Sequence, residues 1–176
     1  LLEACERLVP VMIKLAVGAV NQTKVPLVFI PLHKGADGFM SNAQFEKFYW
    51  PTLKKVMLGL VEEGCVPLMF AEGGYNQRLE IIADFPKGKC IWWFDQTDMK
   101  RAKETLGDVC CIAGNVPTAL MTAGTPDEVK AYCKDLIETA GKDGGFLLTN
   151  GCGIDHAKAV LSTISNTFLR GITNEE

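Results

Sequence analysis

Short apolar runs rich in strand-forming residues alternate with helix-patterned stretches along this chain, and no other feature limits its fold as tightly. The runs are Val25–Ile30, Cys65–Phe70, Lys89–Phe94, Val109–Ala113 and Phe146–Leu148. Continuous apolar strands of this kind are expected to be buried on both faces of a parallel sheet. A helix over Leu1–Val20 stands in front, with Pro10 expected to kink it or divide it in two. Ser41-Asn42-Ala43-Gln44 offers a capping box for a helix to about Glu63, bent near Pro51 and closed by Gly64. Helices are expected next over Gln77–Asp84 and Asp98–Leu106. The chain is expected to turn at Gly114-Asn115-Val116-Pro117. Thr125-Pro126-Asp127-Glu128 combines an N-cap, a first-turn proline and a box-closing glutamate, which predicts a helix to about Gly141. Ala157–Leu169 is the last expected helix.

Five strand-then-helix units predict an α/β fold with a parallel sheet and right-handed crossovers. Two architectures hold them: an open doubly wound five-stranded sheet, or part of a (β/α)8 barrel, whose usual length is about 250 residues. At 176 residues the chain favours the open sheet on length alone. In both architectures ligands gather beyond the C-terminal ends of the strands. The polar residues at those positions are His33, Lys34 and Asp37, then Glu72, then Asp95, then Asn115, then Asn150 and Cys152.

Cys152 lies between Gly151 and Gly153, which permit positive φ and close backbone approach, so its thiol is expected at the rim; the alternative is a small half-buried hydrophobe in a turn. Cys65, Cys90, Cys110 and Cys111 fall within strands, and Cys5 and Cys133 on helices, where cysteine behaves as a small core residue. Glu72, between Phe70-Ala71 and Gly73-Gly74, is a candidate metal ligand, acid or base; the alternative is charge complementarity at a helix start. Asp95 is a catalytic candidate that could equally cap the following helix. His33 sits in a glycine-punctuated loop with Lys34 and Asp37, a plausible substrate loop, although loop histidines are often only solvated. His156 falls at the start of the final helix, poorly placed as a rim ligand.

Other function classes are excluded by what is missing. A net charge of −3 with scattered basic residues leaves no footprint for nucleic acid. Val9–Val20 contains Pro10 and Lys14 and is too short to cross a bilayer. Seven cysteines, an odd number without CxxC spacing, fit reduced thiols and a cytoplasmic protein better than a disulfide framework. Neither the dinucleotide fingerprint nor the Walker loop occurs.

The segments FMSNAQFEKFYWPTLKKV, FDQTDMKRAKETLGD and IAGNVPTALMTAGTPDEVKAYCKDLIETAGKDGGFLLTNGCGI resemble the C-terminal half of the uroporphyrinogen decarboxylase superfamily, from about Phe29 to Ile154. The resemblance is closer to its corrinoid and coenzyme M zinc methyltransferase branch. It implies a partial (β/α)8 barrel, overruling the length argument, and a single domain over residues 1–176 that lacks the first strands. In that branch the Cys of a GCG segment after the last strand is a zinc ligand, and Cys152 stands there. The branch also carries an H-x-C pair after an earlier strand, where this chain reads Phe70-Ala71-Glu72. Glu72 can replace the Cys, but Phe70 cannot replace the His, so His33 or Asp95 must complete any zinc site. Asn115 and Asp95 match superfamily positions at the barrel mouth. The tail after Asp155 departs from the family's usual continuation.

Three functions follow as expectations. The first is corrinoid-linked methyl transfer in the full-length form, with zinc as cofactor and a corrinoid protein or small thiol as partner. The second is tetrapyrrole side-chain decarboxylation, which needs cations for the substrate carboxylates; Lys34 and Arg78 are the convenient ones. The third is a catalytically inactive half-barrel, whose open edges favour a homo-oligomer.

Overall fold

The structure, a computed structural model, describes residues 1–152; His156 and the expected helix over Ala157–Leu169 lie outside the described residues. Helix α1 (Leu2–Thr23) leads into strand β1 (Leu27–Pro31), and β2 (Val66–Ala71), β3 (Ile91–Phe94), β4 (Cys111–Val116) and β5 (Phe146–Asn150) follow. All neighbours pair in parallel, in the order β1-β2-β3-β4-β5. A doubly wound sheet needs a point where strand order reverses. This order has none among the described residues, so the five strands form one open sheet wound like part of a (β/α)8 barrel, and the doubly wound alternative falls.

Between the strands lie α2 (Asn42–Gln44), a π-helical turn (Phe45–Tyr49), α3 (Trp50–Glu62), α4 (Leu79–Ile82), α5 (Met99–Leu106), α6 (Thr118–Ala123) and α7 (Pro126–Thr139). Both capping boxes form, at Ser41 with Gln44 and at Thr125 with Glu128. The helix expected over Ser41–Glu63 is instead three pieces, because the widened turn absorbs the missing N–H of Pro51. Gly64, at φ 78°, ends it as expected. Pro10, in contrast, does not divide α1. That helix is held along its length by Val9, Ile13, Ala16, Val17 and Val20 against Val56, Leu60 and Cys65. The helix expected over Gln77–Asp84 shrinks to the single turn of α4, and α6 was not expected at all.

Gly114–Val116 reads locally as a turn, yet β4 runs through it, with a cis peptide between Gly114 and Asn115. Pairing of Asn115 with Thr149 and Val116 with Asn150 carries the strand past the turn-prone residues. The helices pack against one sheet face, where Met69, Ala71, Trp92, Phe94 and Ile112 meet Trp50, Met57, Leu79, Leu106 and Leu136. The opposite face is not covered among the described residues: Phe29 is 52% and Leu147 50% exposed. The expectation of strands buried on both faces is therefore corrected, because the described residues supply one layer of helices. In a closed barrel the second face would be the packed interior.

Candidate active site

Side chains following β1, β2, β3 and β5 meet at the C-terminal edge of the sheet. Glu72, directly after β2, is the centre of the group. Its Oε2 contacts Nδ1 of His33, which follows β1, and its Oε1 accepts from Sγ of Cys152, beyond β5, at 3.5 Å. Asp95, after β3, fastens the turns beneath. Its Oδ2 accepts from the Gly73 amide at 3.0 Å and its Oδ1 from the Cys152 amide at 2.9 Å. The expected alternative that Asp95 caps the next helix is corrected, since Asp98 accepts from the amides of Lys100 and Arg101 at the start of α5. Glu72 likewise starts no helix.

Gly151 is explained by this arrangement. It does not adopt a left-handed conformation; a Cβ there would overlap Asp95 Oδ1 and stand 3.1 Å from the Asp95 carbonyl oxygen. Close approach, not positive φ, requires glycine before Cys152. Gly153 lies outside the described residues. Asn150 shapes the same turn by donating to the Cys152 carbonyl at 2.8 Å. Two contributors had no sequence signal: the Thr118 hydroxyl donates to that carbonyl at 2.9 Å, and Trp93 Nε1 donates to the Asn150 carbonyl at 2.7 Å.

Other candidates lie apart from this group. Lys34 stands over the Phe39 ring, 4.9 Å from its centroid. Asp37 accepts from the Gln77 amide at 3.1 Å. Asn115 is buried, donating to the Thr97 carbonyl at 2.7 Å and meeting the Tyr132 hydroxyl at 3.4 Å. Arg78, expected as an accessible cation for carboxylates, is fully buried and faces carbonyl groups, which corrects that reading. Cys65, Cys90, Cys110 and Cys133 are core residues, as expected. Contact with Cys90, then burial, pushes the Cys110 thiol up, and burial does the same for Cys111 and Cys133, so these thiols stay protonated near neutral pH.

An imidazole, a carboxylate and a thiol are donor types that a catalytic zinc accepts. Among the described residues, however, no three His, Cys, Asp or Glu side chains form a group that could hold a metal ion. His33 and Cys152 are each turned to a different oxygen of Glu72 rather than to a common point. The donors fit in kind and not in arrangement. What the arrangement can do unaided is hold and pass a proton: the Glu72 carboxylate and the His33 imidazole are in contact, and the Cys152 thiol lies beside them.

No helix among the described residues is long and apolar enough to cross a membrane. The chain is 30% identical over 122 residues to a uroporphyrinogen decarboxylase of Aromatoleum aromaticum, a match covering 66% of this chain and 33% of that protein. It thus spans about a third of the length of the curated relative it matches. Residues 2–160 match the family described as uroporphyrinogen decarboxylase (URO-D). A parallel sheet wound in sequential order, a group of polar residues at its C-terminal edge and a family match over most of the chain agree: this chain belongs to the uroporphyrinogen decarboxylase family.

Proposed function

We propose that the full-length form of this chain moves a methyl group between a corrinoid carrier and a thiol, with Cys152 and Glu72 at the reacting centre and His33 behind Glu72. The observation that carries this reading is the 3.5 Å contact between Cys152 Sγ and Glu72 Oε1. The incoming thiol reacts as its thiolate, and the Glu72–His33 pair beside Cys152 supplies an acceptor for the proton that thiol gives up. His33, against the other oxygen, keeps Glu72 aimed at the sulfur. The corrinoid, carried by a partner protein, would supply the methyl group. Zinc enters only as a measured variable of the test, because Cys152, Glu72 and His33 match its donor types without converging on a common point.

Decarboxylation of a tetrapyrrole side chain is a second reading, favoured by the identity with the Aromatoleum aromaticum decarboxylase. Against it stands the burial of Arg78, which leaves Lys34 as the exposed one of the two expected cations. Assaying the full-length protein with methylcobalamin and 2-mercaptoethanesulfonate, and separately with uroporphyrinogen, distinguishes the two. Methyl transfer is expected, reduced on the order of 100-fold in Glu72→Gln and Cys152→Ala, with zinc content measured on each. Decarboxylation at an equal rate in wild type and Cys152→Ala, without methyl transfer, would overturn the proposal in favour of the second reading.

A further inference from the structure

We propose that Arg78 is a positioning residue of this site: it clamps the loop over residues 33–42 so that His33 stays against Glu72. The inference rests on the reading above only for the importance of His33. Arg78 has no exposed surface, and a buried guanidinium must have its donors satisfied. Among the described residues, every hydrogen-bond acceptor of its guanidinium comes from residues 35–42, after β1. Its Nε donates to the Gly35 carbonyl at 3.2 Å, Nη1 to the Asn42 side-chain oxygen, and Nη2 to the carbonyls of Ala36 at 3.4 Å and Met40 at 2.6 Å. Asp37 supplies the compensating charge at 3.7 Å, and the Phe45 ring lies 4.8 Å from the guanidinium carbon.

The same two segments also meet at the site. Residues 33–42 carry His33 and the acceptors of Arg78, whereas residues 72–78 carry Glu72 and Arg78 itself. Between these ends, the Asp37 amide donates to the Gly74 carbonyl at 2.7 Å and the Tyr75 hydroxyl to the Leu32 carbonyl at 2.6 Å. The His33 and Glu72 side chains are 59% and 36% exposed. An exposed pair of this kind contributes less than ordering even one loop residue costs. It cannot hold the loop, so the loop must be held elsewhere, and the buried end is where the bonds are. Lysine, with a single point charge, cannot reach carbonyls spread around the rim of the guanidinium plane.

The test is made on the full-length protein and needs no activity. The His33 ring nitrogens are followed by 15N NMR, assigned with His33→Gln, while hydrogen exchange is read along the chain. Arg78→Lys, and independently Asn42→Ala, should move the His33 Nδ1 resonance toward its position in Glu72→Gln. Both should also raise exchange of the 33–42 amides on the order of tenfold or more, with the amides of β4 and α7 unchanged. An unmoved His33 resonance overturns the proposal. So does exchange that rises uniformly, which would make Arg78 a contributor to global stability alone. If wild type fails to transfer a methyl group while the NMR result holds, the functional reading falls and the clamp stands.

Discussion

Replacing Gly151 by alanine tests the geometry of the site directly. The added Cβ would overlap Asp95 Oδ1 and lie 3.1 Å from the Asp95 carbonyl oxygen and 3.3 Å from its Cα. A flexible side chain could yield cheaply, but this carboxylate is short and held by the amides of Gly73 at 3.0 Å and Cys152 at 2.9 Å. Relief requires Asp95 to rotate and give up one of those bonds, or Gly151 to move and pull its amide from the Val116 carbonyl at 2.9 Å. Overpacking costs about 1–3 kcal/mol, and a lost bond to a charged acceptor about 1.5–3 kcal/mol. The two overlap, since breaking the bond is how the crowding is relieved, so the expected loss is about 2–4 kcal/mol. Equilibrium urea denaturation of Gly151→Ala measures it, and a double-mutant cycle assigns it. In the Asp95→Ala background the same substitution should cost at least about 1 kcal/mol less, because the crowding oxygen is gone. A loss below about 0.5 kcal/mol, or the same loss in both backgrounds, would refute the account of why glycine precedes Cys152.

Asn115→Leu should destabilise by about 1–3 kcal/mol, because it strands the buried Thr97 carbonyl, whereas Tyr132→Phe, losing only the 3.4 Å contact, should cost about 0.5 kcal/mol or less; thermal melts compare them. Burial pushes Tyr49 up to about 12 and Tyr75 further in the same direction, so the folded state keeps protons that the unfolded chain releases above pH 10. Stability is then fully present below pH 10 and falls as pH rises from about 10 to 12; the urea midpoint should drop across that window, less so in Tyr75→Phe, and a flat midpoint would contradict the burial. The sheet face left uncovered among the described residues predicts that the 176-residue chain alone self-associates. Phe29→Lys with Leu147→Lys should shift it toward monomer in sedimentation velocity, and a monomeric parent chain would refute the expected homo-oligomer.

Local chemistry made much of this protein legible before any fold was known. The apolar runs announced all five described strands, because burial of a parallel strand demands such runs wherever the chain crosses the sheet. Ser41, Thr125 and Gly64 marked helix ends because capping involves residues only a few positions apart. The strand ends in turn located His33, Glu72, Asp95 and Cys152. Where local signals failed, distant partners had overridden them. Gly114-Asn115-Val116-Pro117 carries turn chemistry, but the ladder to β5 kept Gly114–Val116 within the strand. Arg78 looked like a surface cation, but its acceptors lie some forty residues earlier.

The sequence by itself determined the alternation, the family and the set of polar residues at one edge. Only the tertiary structure decided which of them meet. Glu72 lies 39 residues from His33 and 80 from Cys152, so their contacts depend on strand order and register, which no local pattern encodes. The same holds for Asp95 fastening two turns from different strands, and for the described helices lying on one face of the sheet. Each is a property of how strands are placed beside one another, and placement is settled by the sum of packing across the sheet rather than by the residues at any one position.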